Sequence, residues 1–328
     1  MNIQLIKNRS DIGAGTRGSD MGIDAMEIAA INRGEDFFHS HLHVDVESHN
    51  ESIYRKNTNP FAKRIEHVYE QCERVSTAVK TSINAGYFPI VLSGDHSSAL
   101  GTISGIKAAN PEAVLGIVWL DAHADIHSPF TSASGNIHGM PLAAVLGKDN
   151  LEQQLNSIEP ATEYFWRKIK NIGIIGPKIA PEHLVYFGLR DFEAAEAALI
   201  EQEGILHYRV DEMRMKGIEY CVRESLNRLN VCDLVYISFD VDSMDCDSIS
   251  YGTGTPVPTG FYPTEIMQIF DLLMDSGKVS CVEFAEINPL LDNKGNKMAE
   301  TAFEVLSFIT RKLETDYVPA KRFSVQDS

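Results

Sequence analysis

"VLGIVWLDAHADIHSP", residues 114–129, begins with seven residues that are apolar apart from one glycine, then packs Asp121, His123, Asp125 and His127 into seven positions. A continuous apolar run of this length suits a strand buried on both faces, as in a parallel sheet covered by helices. Ionisable groups at the end of such a strand need a reason, because each is costly to hold beside a core unless it is paired. In open α/β sheets, ligands settle just outside the carboxyl ends of the strands. The stretch therefore predicts both the class of fold and the place in it where chemistry should be sought.

Similar runs recur on either side: "IQLI" (3–6), "FPIVLS" (88–93), "LVYFGL" (184–189), "ILHYRV" (205–210), "LVYISF" (234–239) and "SCVEFAEI" (280–287). Between them lie helical patterns. In residues 61–86, Ile65, Val68, Tyr69, Cys72, Val75, Val79 and Ile83 repeat at steps of three and four, and Gly86 supplies a stop. Further helices are expected near 22–32, 97–109, 193–202, 216–229, 263–276 and 299–315. This alternation predicts an α/β fold with a mostly parallel sheet covered on both faces. No linker or repeat divides the chain, so residues 1–328 read as one domain.

Composition narrows the function. The formal net charge of −17 argues against nucleic acid and anionic membrane, and suits a small cationic substrate. No apolar run reaches the roughly 18–20 residues of a membrane span, and the N-terminal residues lack the apolar core of a signal peptide, so a cytoplasmic protein is expected. The five cysteines are scattered without a C-x-x-C pair, which favours reduced packing residues over disulfides or a thiolate zinc site.

Three apolar runs end in ionisable clusters: Gly94-Asp95-His96-Ser97, Asp121-Ala122-His123-Ala124-Asp125 and Asp240-Val241-Asp242. A fourth delivers Glu286, followed by Asn288-Pro289. In extended chain, positions 121, 123 and 125 face the same way, as do 240 and 242. His96, Asp121, His123, Asp125, Asp240 and Asp242 would then converge, and their four carboxylates could not stay ionised together without compensation. Two divalent cations supply the matching charge, and a hydroxide shared between them would be a nucleophile at neutral pH. Oxygen-rich ligation with two imidazoles and no thiolate points to manganese. A second histidine-rich stretch, "FFHSHLHVDVESHN" (37–50), places His39, His41, His43 and Asp45 at two-residue spacing. Alternation with apolar residues makes it a half-buried strand with one polar face rather than another metal site.

Taken in order, "SGDHS" (93–97), "DAHAD" (121–125), "SGNIHGMP" (134–141), "SFDVDSMD" (238–245) and "EINP" (286–289) closely resemble the ureohydrolases, and within them the arginases. The opening "IGAGTRGSDMG" (12–22) is similar to that family's first loop, so the resemblance spans nearly the whole chain. It implies a three-layer α/β/α domain with an eight-stranded parallel sheet, two Mn2+ per chain, and hydrolysis of the L-arginine guanidinium to L-ornithine and urea. Carried over by motif, His96, Asp121, Asp125 and Asp240 would hold one ion, and His123, Asp121, Asp240 and Asp242 the other, with Asp121 and Asp240 bridging. The implied catalytic residues are His138 for proton transfer, Glu286 to orient the guanidinium, and Asp125. The implied substrate contacts are His127, Ser134, Asn136, Glu193, Glu196 and Thr255. His127 stands where the family usually has Asn, Glu193 where it usually has Asp, and residues 161–183 exceed the usual connection. The resemblance also implies a homotrimer or homohexamer. Rival readings are another ureohydrolase, acting on agmatine, a guanidino acid or formiminoglutamate, and a metal-binding homologue without activity.

Overall fold

The computed structural model describes residues 1–320; residues 321–328, which the single-domain expectation includes, lie outside the described residues. Eight strands, β1 (Ile3–Asn8), β2 (Leu42–Val46), β3 (Phe88–Ser93), β4 (Leu115–Leu120), β5 (Leu184–Phe187), β6 (Leu206–Tyr208), β7 (Leu234–Asp240) and β8 (Val279–Ala285), form one sheet in the order β2-β1-β3-β8-β7-β4-β5-β6. Every pairing is parallel. The helices are α1 (Gly22–Asn32), α2 (Phe37–Ser40), α3 (Ile65–Asn84), α4 (Ala99–Ala109), α5 (Pro141–Leu146), α6 (Pro160–Lys170), α7 (Ala194–Gln202), α8 (Val210–Lys216), α9 (Ile218–Arg228), α10 (Pro263–Met274) and α11 (Lys297–Thr315).

The central strands are buried along their whole length, as their continuous apolar sequences require. Alternate side chains feed two cores. Leu92, Leu120, Ile237 and Phe284 pack under α1, α10 and α11 on one face. Val91, Trp119, Tyr236 and Cys281 pack under α3, α4 and α5 on the other. The three layers follow from this two-sided burial.

Seven strands coincide with the seven apolar runs. The eighth, β2, falls in the histidine-rich stretch and differs from the half-buried strand expected there. It lies at the sheet edge, and only Val46 of its five residues is buried. His39 lies in the preceding short helix, so the histidines do not share one strand face. Helices α2, α5, α6 and α8 have no counterpart among the expected ones. Three of them are only four, six and seven residues long, and α6 lies in the extended 161–183 connection.

Candidate active site

β3, β8, β7 and β4 are neighbours in the sheet, so their carboxyl ends lie side by side, and each delivers one of the sequence clusters. His96 follows β3 in a 3-10 turn capped by Asp95, whose Oδ1 accepts from Ser97 N at 2.8 Å. A Cβ at Gly94 would run into the Ser10 carbonyl oxygen, so glycine lets the chain turn close to the opening loop. Asp240 is the last residue of β7, and its Oδ1 caps the 3-10 turn Val241–Ser243 by accepting from Asp242 N at 2.8 Å.

Extended alternation does not carry the side chains to their places as the spacing alone would suggest. β4 stops at Leu120, and Asp125 sits in the left-handed region (φ 48°). Asp242 is brought round by the 3-10 turn rather than by strand pleat. Glu286, immediately after β8, is also left-handed (φ 67°). Non-glycine residues rarely adopt this conformation, and two of them at one sheet edge mark a place where the surrounding structure imposes the backbone.

The turns bring the six residues together. His96 Nδ1 lies 3.1 Å from Asp121 Oδ2, 3.0 Å from Asp125 Oδ2 and 3.0 Å from Asp240 Oδ2. His123 Nδ1 lies 2.9 Å from Asp242 Oδ2 and 3.4 Å from Asp121 Oδ1. Two sets of ligand atoms, each within 4.8 Å of one another, could hold a metal ion: His96, Asp121 and Asp240, and Asp121, His123 and Asp242. Asp121 belongs to both sets, Asp240 only to the first, and Asp125 stands beside His96. The histidines and Asp45 of the edge region are in neither set.

The donor set fits divalent cations. His96 Nδ1 is buried and has no hydrogen-bond partner although three carboxylate oxygens surround it. A ring nitrogen and carboxylate oxygens converging on one point, without hydrogen bonds to join them, match the needs of a cation. Without one, protons must balance the charge. Burial, and then the charges of Asp242 and Asp121, push Asp240 far above the usual carboxylate range. Burial and the charge of Asp121 raise Asp125 to about 7. Asp121 goes the other way: against its burial, His123 and His96 hold it well below its ordinary value. Both imidazoles are raised despite burial, His96 by Asp121, Asp125 and Asp240, and His123 by Asp242 and Asp121.

Several residues that position this cluster escape a reading of the sequence alone. The Trp119 ring stacks on His96 at 4.1 Å, and its Nε1 donates to Asp121 Oδ2 at 2.9 Å. Ser238 Oγ lies 2.7 Å from His96 Nε2, with Tyr236 and the buried Glu283 behind it. Asp191 Oδ2 lies 3.7 Å from His123 Nε2. Strand alternation is the available signal, since Trp119 and Ser238 each stand two residues before a candidate ligand and so on its side of the sheet.

Beside this cluster, His138 Nδ1 is 3.0 Å from Glu286 Oε1, which also accepts from His96 N at 3.0 Å. Against burial, Glu286 raises His138 to about 9, and His138 in turn helps hold the buried Glu286 below its ordinary value. Thr255 Oγ1 donates to Asp242 Oδ2 at 3.0 Å. Asn136 N donates to Ser134 Oγ at 3.2 Å, so these two form one compact loop. His127 faces elsewhere: its Nε2 lies 3.5 Å from both Glu193 and Glu196, and its Nδ1 3.0 Å from Thr131 Oγ1. Glu193 and Glu196 form a capping box at the start of α7. Buried Glu196 also accepts from Ile126 N at 3.3 Å.

Comparison with known proteins gives one consistent picture. The model of the Arginase family matches residues 2–310. The arginase of Bacillus subtilis (strain 168) is 35% identical over 314 residues, covering 95% of this chain and 98% of its own. The native structure of Bacillus caldovelox arginase superposes with a TM-score of 0.79 at 33% identity, covering 94% of this chain and 97% of that one. The formimidoylglutamase of Bacillus subtilis shares the fold with a TM-score of 0.72 at 18% identity, covering 96% of this chain and 88% of its own.

Proposed function

The chain belongs to the arginase family, hydrolases of the guanidino C–N bond, and we propose that it converts L-arginine and water to L-ornithine and urea with two manganese ions. His96, Asp121, Asp125 and Asp240 would hold one ion, and His123, Asp121, Asp240 and Asp242 the other. When bound, the two cations offset four buried carboxylates and make a water molecule acidic enough to attack at neutral pH. The observation that carries this reading is the His138–Glu286 pair, held 3.0 Å apart beside a cluster that fits divalent cations.

Each partner in that pair has a task. Glu286 Oε1 is taken up by His138 and His96 N, which leaves Oε2 for the guanidinium N–H groups. A charge-assisted bond there fixes the plane of the cation. Against burial, His138 is raised above its ordinary value by Glu286, which suits it to carry a proton. As the water oxygen bonds to the guanidinium carbon and the C–N bond to the side chain breaks, His138 supplies the proton that the departing amine requires. Thr255 holds Asp242 in place. Glu193, exposed and opposite in sign to an ammonium, suits the α-amino group, with Glu196 and His127 supporting it.

Arginine and agmatine share the guanidinium, so discrimination must come from the α-carboxylate and α-amino group, whose partners include Ser134 and Asn136. We expect kcat/KM for L-arginine to exceed that for agmatine by at least about 100-fold, since leaving such polar groups unpaired costs roughly 3 kcal/mol. Urea release from L-arginine, agmatine and 4-guanidinobutyrate, and formamide release from formiminoglutamate, under identical manganese loading test the assignment. Faster turnover of any of the last three overturns arginine as the substrate.

A further inference from the structure

Lys63 lies just before α3, far in sequence from the strand ends, yet its segment clamps the loop that leads into His138. Lys63 N donates to Gly135 O at 2.7 Å and Lys63 Nζ to Asn136 Oδ1 at 3.1 Å. A Cβ at Gly135, whose φ is +69°, would run into the Pro60 carbonyl oxygen, so the two segments touch backbone to backbone. Next to it, Arg64 donates to Ile12 O at 2.7 Å and Ala14 O at 3.2 Å, and His138 N donates to Gly13 O at 3.2 Å. Gly15 leaves no room for a Cβ against the Asn136 amide. Three segments, 11–15, 60–64 and 134–138, thus meet at one wall of the site.

The charge on that wall is unusual for this molecule. In a chain with a net charge of −17, Lys63 is half-buried and forms no ion pair among the described residues; its Nζ meets a neutral amide oxygen. His127, the ring expected at a substrate carboxylate, is turned toward Glu193 and Glu196. The Asn136 oxygen is occupied by Lys63, so its two N–H donors are left for an acceptor arriving from the site. An ammonium and an amide N–H pair side by side, with no carboxylate of the protein between them, are suited to a carboxylate brought by the ligand.

We infer that Lys63 receives the carboxylate of the substrate and, with Asn136, makes the site selective for guanidino compounds that carry one. The inference rests on the arginine-hydrolase reading and adds to it a residue from outside the strand-end clusters. Lys63 is a binding residue and takes no part in proton transfer.

The test is kcat and KM for L-arginine and agmatine on the manganese-loaded wild type and on Lys63→Met, Lys63→Gln and Lys63→Arg. Removing the cation should lower the arginine-to-agmatine ratio of kcat/KM by about tenfold or more, chiefly through KM for arginine, as expected for a charge-assisted hydrogen bond. Lys63→Arg should retain most of the ratio. An unchanged ratio, or equal losses for both substrates in Met and Gln variants that melt like wild type, overturns the inference, because it leaves Lys63 only a loop support. If wild type releases urea from neither substrate, the functional reading fails instead. Calorimetric binding of L-ornithine against putrescine, which lacks the carboxylate, then still decides the role of Lys63. A ratio narrowed in Lys63→Gln upholds it, and an unaltered ratio overturns it.

Discussion

Against burial, His138 owes its raised basicity first to Glu286, 3.0 Å away, and then to the charges of Asp125 and Asp95. Burial alone would favour the neutral ring, and these carboxylates shift it toward the protonated form that a departing amine requires. His138→Asn should therefore retain its manganese, measured by atomic absorption, while kcat falls by roughly 10- to 10⁴-fold. Loss of a metal ion in that variant would mean that His138 is a ligand and that the roles of the histidines have been exchanged. At this scale the sequence is informative for residues inside motifs, because ionisable groups crowded at the end of an apolar strand are seldom there for packing alone. It is less informative for residues that act through them. Ser238 and Trp119 read as ordinary strand residues until His96 is seen between them. The direction of His127 depends on where α7 docks, which no local pattern encodes.

Elements with a strong period are legible: α3 by its three-and-four spacing, and seven strands by continuous apolarity. The extended connection is visible only as excess length. In the structure its residues make α6, whose Trp166 and Ile169 are buried, followed by a turn folded around Lys178. Lys178 is 3% exposed, and its Nζ donates to the carbonyls of Lys170, Ile174 and Gly176 at 2.6, 2.9 and 2.8 Å. One ammonium satisfying three carbonyls holds this glycine-rich turn from within, while Ile172 and Ile179 anchor its ends in the core. Lys178→Met should cost about 2–4 kcal/mol by orphaning those carbonyls, and lower the melting temperature by about 4 °C or more. Ile175→Ser, at a side chain 92% exposed, serves as the control and should melt like wild type. Equal melting of all three proteins would show that the turn is held by something other than Lys178.

Across the whole molecule, the sheet order does what sequence order cannot. β3, β4, β7 and β8 are scattered through almost 200 residues, yet they become the central strands β3-β8-β7-β4, so four separate clusters share one edge. Local residues show that the clusters end strands; that these strands are neighbours depends on crossovers, which local residues do not specify. The negative charge of the chain then suits its task twice, favouring a cationic substrate and requiring cations at the centre. Burying Asp121, Asp125, Asp240 and Asp242 together makes sense only if positive charge is held among them. The most direct measurement is manganese bound per chain, by equilibrium dialysis and atomic absorption, set against urea released from L-arginine in the same samples. The account predicts activity that rises to its maximum as occupancy approaches two ions, and is lost on chelation. Full activity with one ion or none would contradict it.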